Sequence, residues 1–553
     1  MLNAPEKTRH RLGQFAGQFL ASVLSWFLRP SSSGPLGHIQ RQRMHSMEAQ
    51  QRVQEMEARL LAGDLQDASL WVTCGFDWFE LDQFDHASKC FERALEIDPL
   101  GHEAMNGMAN VLKTQGELER AISLYRRALE AAPSNVTVFQ NLLFAMLCSG
   151  KTSETEIFEW HLRFAQEFEK PLAVFRGSHA NFADPARRLR IGYVSADLRG
   201  HVTGRCIAPI LAHHDRKNFK IFCYFDGRLA DDFTRSMQAA GGTWRDMSNL
   251  DDSQLCKLVK ADCIDILVDM SGHTPGNRLL AFARKPAPVQ VSYLDYSATT
   301  GLKSMDYRLT AEGCDAEGEA DAFYSETLFR LPKSFWLYNP PETPNISTTP
   351  DKTSGRLLLS CLNSLYRVSD AAILIWADIL QRLPAARLAL VSVPDGKART
   401  RILRRFKELG IKASRIEMFG ILNHDHYLQL VRATDIALAP FPYNGAMTML
   451  DCLWNGVPVV CLRGGPTFRS NMGNCILGLL NLKSLIAAGE ADYANIVINL
   501  AEDRKLRLEL CAGLRERVKN SALCDAPALT AAIETAYREM WQRHCKASSV
   551  DAD

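Results

Sequence analysis

Nine short apolar runs, separated by segments with helical periodicity, dominate the chain between residues 190 and 462. Four of them precede, and five follow, a stretch at 339–355 that is rich in Pro, Thr and Ser. Such near-continuous apolar runs are typical of parallel strands covered by helices on both faces. The runs are 190–197, 219–225, 264–270, 289–296, 356–363, 386–393, 416–420, 435–440 and 457–462. We therefore predict two doubly wound, Rossmann-like lobes, with a ligand cleft between them at the carboxyl ends of their strands.

A 34-residue repeat precedes these lobes. Two units, starting at Ala68 and His102, match at seven positions with one constant offset. Small residues stand where paired helices would cross, and a proline closes each second helix, as in tetratricopeptide repeats. The matched positions are Trp71, Gly75, Trp78, Ala87, Phe91, Ala94 and Pro99, then Met105, Ala109, Leu112, Ala121, Tyr125, Ala128 and Pro133. We predict a short α-solenoid that presents a peptide groove or caps the next domain.

Charge and cysteine usage exclude several classes of protein. The net charge of +1 gives no electrostatic reason to expect binding to nucleic acid. The fifteen cysteines are scattered singly, without the spacing of a disulfide framework, a zinc site or a haem attachment site. We therefore expect reduced cysteines, a cytoplasmic protein and no metal or bound cofactor.

The N-terminal segment at 14–28 is apolar and follows a basic cluster, but it is too short to span a bilayer. We interpret it as a helix that lies on a partner or makes peripheral contact with a membrane. A signal or anchor, or a start displaced to Met44 or Met47, remains an alternative. The predicted domains are 1–43 (amphipathic segment and linker), 44–150 (repeats), 151–187 (helical linker), 188–345 (N-terminal lobe) and 355–545 (C-terminal lobe).

Polar residues follow several of the predicted strands. His201 comes after the first strand, and loops with glycine or threonine, 271–277 and 296–301, follow the third and fourth. In the second lobe, Arg367 follows the first strand, and 441–451 runs through Gly445 into a helix. Free N–H groups at such a helix start suit a diphosphate. Each signal is weak alone, but their recurrence at strand ends predicts a binding site for an anionic nucleotide ligand.

Five stretches carry a resemblance to a known family: "RLRIGYVSAD…H", "ILVDMSGHTPGNRLLAFARKPAPVQV", "YSATTGL…MDYRLT", "FPYNGAMTMLDCLWNGVPVV" and "LRERVKNSALCDAP…YREMW". With the repeats upstream, they resemble the protein O-GlcNAc transferase and Spindly glycosyltransferases over essentially all of 188–543. The resemblance implies a GT-B fold and metal-independent transfer of a sugar, with inversion, to serine or threonine of an acceptor protein. It implies UDP-GlcNAc as the sugar donor. GDP-fucose is the alternative, because "NHDH" (423–426), "FPYNG" and "NMG" (471–473) are more similar to the Spindly branch.

The resemblance also implies roles for individual residues. It places His201 near the acceptor and Arg367 at the diphosphate, as the two catalytic candidates. The implied nucleotide-sugar-binding residues are His273, Thr299, Thr300, Gly301, Asn363, His424, His426, Gly445, Met447, Thr448, Asp451 and Asn471. The first four would shape the sugar pocket and the two later histidines would lie near the base and ribose. Met447 and Thr448 would meet the diphosphate, and Asp451 the ribose.

Three departures from the family pattern keep other functions open. Arg367 replaces a lysine, and Ala446 and Met447 stand where the family has oxygen-bearing side chains. Asp295 stands in "YLDYS" where the family has "WLGYP". These replacements remove oxygen-bearing partners of the diphosphate, and losing one charge-assisted hydrogen bond costs about 1.5–3 kcal/mol. A degenerate transferase that acts as a repeat-based binding scaffold is therefore one alternative. Transfer to a glycan or lipid, suggested by the apolar N-terminal segment, is another.

Overall fold

The computed structural model describes Val53 and residues 67–341 and 357–550, all of which belong to one compact unit, 46–553. The segment at 14–28 and the helix predicted for it lie outside the described residues. Among the residues that are described, no helix is both long enough and apolar enough to cross a membrane.

In the described part of the chain, six helices form the N-terminal array. They are α1 (Ala68–Glu80), α2 (Phe84–Ile97), α3 (His102–Thr114), α4 (Leu118–Ala131), α5 (Val136–Cys148) and α6 (Glu154–Phe164). The buried ring of Phe91 fills the space between α1 and α3, where a Cβ on Gly75 or Gly107 would lie 2.6 or 2.3 Å from it. Glycine thus stands at both positions where the Phe91 ring excludes a side chain, and the predicted α-solenoid is confirmed.

The N-terminal lobe is built on a seven-stranded parallel sheet in the order β3-β2-β1-β4-β5-β6-β7. Central β1 pairs on both edges, with Ile191 opposite Ile221 of β2 and Ile266 of β4. The strands are β1 (Leu189–Ser195), β2 (Phe219–Phe225), β3 (Thr243–Asp246), β4 (Ile266–Asp269), β5 (Val289–Ser292), β6 (Tyr307–Ala311) and β7 (Thr327–Leu331). The helices are α7 (Val202–His213), α8 (Asp232–Ala239), α9 (Asp252–Ala261) and α10 (Leu279–Phe282).

The C-terminal lobe contains a six-stranded parallel sheet in the order β10-β9-β8-β11-β12-β13. Its strands are β8 (Leu358–Cys361), β9 (Arg387–Leu390), β10 (Ile416–Met418), β11 (Ile436–Leu438), β12 (Val459–Leu462) and β13 (Ile486–Ala487). Its helices are α11 (Asp370–Arg382), α12 (Lys397–Glu408), α13 (His424–Ala433), α14 (Ala446–Trp454), α15 (Phe468–Leu479), α16 (Glu490–Glu502) and α17 (Arg504–Lys519). The strand order reverses beside β8 and β11, which is where a ligand is expected in a doubly wound sheet.

All nine apolar runs form strands, but four other strands were not predicted: β3, β6, β7 and β13. The edge strand β3 is only half-buried and therefore has no continuous apolar run. In β6, the charged Arg308 is fully buried. Its guanidinium donates to the carbonyl of Tyr296 at 2.7 Å, which partly offsets the cost of burying the charge. Because a charged residue interrupts the apolar run, the sequence pattern does not predict this strand.

The last helix, α18 (Ala526–Val550), packs on the N-terminal lobe. Glu534 lies 2.9 Å from the His214 ring, and the indole of Trp541 donates to the carbonyl of Asp184 at 2.9 Å. Both Tyr537 and Trp541 are fully buried there. The predicted boundary, which assigned all of 355–545 to the second lobe, is therefore corrected: the chain returns to the first lobe, where the apolar face of α18 is covered.

The repeats are tied to the second lobe by a buried arginine. Arg469, at the start of α15, donates to Glu154 Oε1 at 2.7 Å and to the carbonyl of Leu147 at 2.8 Å. Because its side chain is only 6% exposed, these bonds satisfy a charge that would otherwise be costly to bury. The array is thus part of the same folded body as the two lobes.

We expect Gly107→Ala to destabilise the repeats by about 1–3 kcal/mol, since the added methyl would overlap the Phe91 ring. The matched control is Gly478→Ala, in α15, where a Cβ meets nothing within 4 Å. The control should be neutral or stabilising by up to about 1 kcal/mol. Thermal unfolding of both variants is the measurement, and equal melting temperatures would contradict the packing described.

Candidate functional site

One wall of the interlobe cleft is the start of α14. A Cβ on Gly445 would lie 1.9 Å from Asn363 Oδ1 and 2.5 Å from Thr448 Oγ1, so only glycine fits between them. The hydroxyl of Thr448 is 3.1 Å from Asn363 Oδ1 and 2.8 Å from the carbonyl of Gly445. The first N–H groups of a helix and its dipole favour an anion. Asn363, Gly445 and Thr448 are therefore brought together, as the resemblance implies.

Arg367 lies beside this helix start. Its Nη1 donates to the carbonyl of Asn444 at 3.0 Å, and its guanidinium stacks 4.3 Å from the ring centroid of Tyr443. The groups that act most strongly on its charge are Tyr443, Tyr366 and Cys148, none of which is a carboxylate. A half-buried cation without a carboxylate partner is well suited to an anionic ligand, because the ligand would supply the missing countercharge.

Further along α14, Asp451 is held by two tyrosines. Tyr338 donates to its Oδ1 at 2.8 Å and Tyr427 to its Oδ2 at 3.1 Å. Burial raises the pKa of Asp451, while the two hydroxyl groups and nearby His424 oppose that shift. Sequence reasoning missed both tyrosines. Tyr427 could have been found, since it follows His424 by three residues and therefore shares its helix face.

The opposite wall is the start of α7. His201 caps this helix: its Nδ1 accepts from the backbone N–H of Thr203 at 3.3 Å and lies 3.9 Å from Asp197 Oδ2. The side chain of His201 is 35% exposed. The structure therefore places His201 at the strand end where the sequence predicts it.

The two walls contact each other directly. The hydroxyl groups of Ser297 and Tyr443 lie 2.9 Å apart, and Cys206 Sγ of α7 lies 3.9 Å from Met447 Sδ of α14. Met447 therefore contacts the other lobe. A threonine at this position, as in the family pattern, would present a hydroxyl group there. These contacts bring the two helix starts to one place.

Asp295 follows β5 in this region. Its Oδ2 accepts from the hydroxyl of Thr274 at 3.2 Å, and it also accepts from the side chain of Thr203. The preceding Leu294 has φ 92°, a strained conformation for a branched residue. Burial raises the pKa of Asp295, and the charge of Asp197 adds to this effect, while His201 opposes it.

The four residues assigned to the sugar pocket are packed behind the wall. Imidazole Nε2 of His273 donates to the carbonyl of Thr300 at 2.9 Å, and the ring contacts His161 of α6 with centroids 5.2 Å apart. The hydroxyl of Thr299 donates to buried Glu326, at 2.5 Å, as does that of Thr300. A Cβ on Gly301 would lie 2.3 Å from the carbonyl oxygen of His161 in α6. All four residues are buried, and His273 Nδ1 has no hydrogen-bond partner in the described structure, so their role in a sugar pocket stays a prediction.

Two further predicted residues lie apart from the helix start. The exposed His426 is two residues from His424 and so lies off the face that meets Asp451. Asn471 donates to the carbonyl of Gly465 and accepts from Asn474 at 2.7 Å, so its amide orders a loop. In the described part of the chain, no group of three or more His, Cys, Asp or Glu side chains is arranged to hold a metal ion.

Residues 170–340 and 350–533 match the family model described as "Glycosyl transferase family 41", and 79–99 and 102–135 match a tetratricopeptide repeat model. Similar proteins from Petunia hybrida and Arabidopsis thaliana are both named "Probable UDP-N-acetylglucosamine--peptide N-acetylglucosaminyltransferase SPINDLY". The Petunia protein is 34% identical over 426 residues, which are 75% of this chain and 45% of that protein. The Arabidopsis protein is 33% identical over 423 residues, with 75% and 46% covered. The chain spans about half the length of these curated relatives.

A solved structure of a mutant of the Thermobaculum terrenum O-GlcNAc transferase is also similar. It superimposes with a TM-score of 0.84 at 31% sequence identity, and the match covers 94% of this chain and 100% of that one. The combination of repeats and two parallel-sheet lobes is therefore shared with a solved glycosyltransferase, and the predicted fold class is confirmed.

We expect Gly445→Ala to weaken binding of a nucleotide diphosphate sugar by about 10-fold or more. The methyl group would displace Asn363 and Thr448 from the helix start, and each lost hydrogen bond to a charged group is worth about 1.5–3 kcal/mol. Calorimetric titration with UDP-GlcNAc and GDP-fucose measures the effect. Gly489→Ala, where a Cβ meets nothing within 4 Å, is the control, and equal affinities in the two variants would contradict a binding role for this helix start.

The pair formed by His161 and His273 predicts acid sensitivity. Burial lowers the pKa of His161 to about 4, against an unfolded value of about 6.5. The unfolded chain therefore binds a proton that the folded chain excludes, so stability is lost as pH falls from about 6.5 towards about 4. The loss from His161 is about 3 kcal/mol when complete. Urea denaturation at several pH values should show a weaker pH dependence for His161→Phe, whereas the exposed His213→Gln control should follow the wild type.

Proposed function

Because the chain belongs to glycosyl transferase family 41, we propose that it is a protein O-glycosyltransferase that transfers N-acetylglucosamine from UDP-GlcNAc to serine or threonine hydroxyl groups. The identity of this sugar donor is supported by the names of the relatives. Transfer proceeds with inversion, and no metal ion takes part.

The observation that carries this proposal is the position of Arg367. Its guanidinium has no carboxylate partner among the described residues and lies against Asn444, the residue before the glycine at the start of α14. Negative charge develops on the leaving diphosphate as the sugar–oxygen bond breaks. A preorganised cation, free helix N–H groups and the hydroxyl of Thr448 stabilise that charge.

The acceptor approaches from the other lobe. His201 is accessible on the wall opposite Gly445, and the contact between Cys206 and Met447 keeps the two walls adjacent. An acceptor hydroxyl near His201 can attack the anomeric carbon on the face opposite the diphosphate, which produces inversion. Asp451, on the same helix as Thr448, accepts hydrogen bonds from the ribose hydroxyl groups.

The repeats support a protein acceptor. A cleft of about 700 Å³ runs between their loops at 116–120 and 148–154 and the second lobe, and Tyr366, next to Arg367, is part of its lining. An extended segment of an acceptor protein can reach the sugar through this cleft. None of the fifteen cysteines, all in the described part of the chain, forms a disulfide, which supports a reducing, cytoplasmic location.

We expect Arg367→Ala to lower the rate of UDP release from UDP-GlcNAc by about 100-fold or more, because one preorganised charge on the leaving group is lost. Arg367→Lys should keep part of the activity, since it retains the charge without the planar fork. The measurement is sugar-nucleotide hydrolysis and transfer by the purified chain, with UDP-GlcNAc and GDP-fucose tested side by side.

The matched control is Arg93→Ala, because Arg93 forms only an exposed pair with Glu96 on α2. Its activity should equal that of the wild type. Turnover of GDP-fucose alone would identify the chain as a fucosyltransferase. Binding of a sugar nucleotide without any turnover would instead favour the scaffold, as the oxygen-poor side chains Ala446 and Met447 suggest.

A further inference from the structure

The guanidinium of Arg367 is held by two residues of the segment that joins β11 to α14. Its Nη1 donates to the carbonyl of Asn444 at 3.0 Å, and its Cζ lies 4.3 Å from the ring centroid of Tyr443. The amide of Asn444 in turn donates to the carbonyl of Pro440 at 2.8 Å and accepts from the backbone N–H of Gly473 at 3.2 Å. The backbone of this segment is therefore anchored within the second lobe, and the ring of Tyr443 is the surface on which the guanidinium rests.

The far end of this ring is bonded to the other lobe. The hydroxyl of Tyr443 lies 2.9 Å from that of Ser297, on the loop after β5, and both residues are buried. A buried hydroxyl group is costly without a hydrogen-bond partner, and these two groups satisfy each other. The orientation of the ring is therefore fixed from outside the lobe that carries Arg367.

The repeats contact the same group of rings. Phe144 of α5 packs edge-on against Tyr443 and Tyr366, with ring centroids 6.4 and 5.8 Å apart. The ring of Tyr366 lies on the guanidinium as well, 5.9 Å from its Cζ. The repeats, the first lobe and the second lobe therefore all contact the aromatic rings beside Arg367.

Both partners of the Tyr443 side chain are departures from the family pattern. Arg367 stands where the family has a lysine, and Ser297 ends "YLDYS" where the family has "WLGYP". A lysine ammonium has no plane that a ring could orient, and a proline has no hydroxyl group for a tyrosine. A guanidinium must be turned to a defined angle before it can donate two parallel hydrogen bonds. One requirement, that the plane of Arg367 be fixed, therefore accounts for both replacements.

We propose that Tyr443 is the positioning residue of Arg367, and that its hydrogen bond to Ser297 sets the plane of the guanidinium relative to the first lobe. The proposal rests on the proposed function, in which Arg367 stabilises the leaving diphosphate and the acceptor approaches from the first lobe. The hydrogen bond then aligns the charge at the leaving group with the wall that faces the attacking hydroxyl. Small displacements of such a preorganised group are costly in rate.

The test separates the hydroxyl group of Tyr443 from its ring. Tyr443→Phe removes only the hydrogen bond, Tyr443→Leu also removes the ring, and Ser297→Ala removes the same hydrogen bond without altering the second lobe. The matched control is Tyr224→Phe, which removes a buried hydroxyl that donates to Asp262 at 2.9 Å outside the proposed site.

Three measurements keep chemistry, binding and folding apart. The rate is that of single-turnover hydrolysis of UDP-GlcNAc or GDP-fucose, whichever the wild-type chain hydrolyses. Calorimetric titration with the same sugar nucleotide reports affinity, and the melting temperature reports folding. A purely structural role would change the melting temperature and leave the rate of the folded protein unchanged.

We expect Tyr443→Phe and Ser297→Ala each to lower the single-turnover rate by about 10-fold. The double variant should be no slower than either single variant, since both remove one hydrogen bond. Tyr443→Leu should lower the rate by about 100-fold. Affinity should change by less than about threefold, because the alignment matters most in the transition state. Tyr224→Phe should match the rate of the wild type.

The same substitution in an Arg367→Lys chain identifies the group through which Tyr443 acts. Because an ammonium has no plane to orient, Tyr443→Phe should lower the rate of that chain by less than about twofold. An equal loss in both backgrounds, additive losses for the two hydroxyl groups, or near-normal rates overturn the assignment and leave the proposed function intact. A wild-type chain that neither binds nor hydrolyses either sugar nucleotide overturns both.

Discussion

The guanidinium of Arg367 is the interaction on which the site depends. It lies against the carbonyl of Asn444 and over the ring of Tyr443, with no carboxylate partner in the described part of the chain. A half-buried cation attracts a compensating charge. An anionic ligand would supply that charge, and the start of α14 would offer N–H groups to the same anion. Tyr443 bonds Ser297 of the other lobe, so the position of this charge is coupled to the packing of the two lobes.

The repeats contribute to this arrangement through buried polar contacts. Arg469 reaches from the second lobe into carbonyl groups and a carboxylate of the repeat region, and His161 of α6 bonds Tyr296 of the first lobe at 2.8 Å. Breaking either contact would leave an unsatisfied polar group in the interior. An array joined in this way fixes the cleft lined by Tyr366 relative to the second lobe.

The departures from the family pattern have physical consequences in the structure. At position 447 a thioether stands where the family has a hydroxyl group, and this thioether packs on Cys206 of the other lobe. The position therefore contributes to packing between the lobes and offers no hydroxyl group to an anion. Asp295 adds a carboxylate beside His201 and Thr203.

The sequence by itself determined the solenoid, both sheets and the strand ends at which His201, Arg367 and Gly445 are found. These features depend on local periodicity and on glycine or proline at defined spacing, which neighbouring residues specify without tertiary information. Only the tertiary structure decided that His273, Thr299 and Thr300 are buried, that Tyr338 and Tyr427 meet on Asp451, and that α18 covers the first lobe. The reason is that the orientation of a side chain and its hydrogen-bond partners depend on residues that are far away in the sequence. Glu326 captures the two threonines, and His161 occupies the space behind His273, and neither pairing leaves any trace in local sequence.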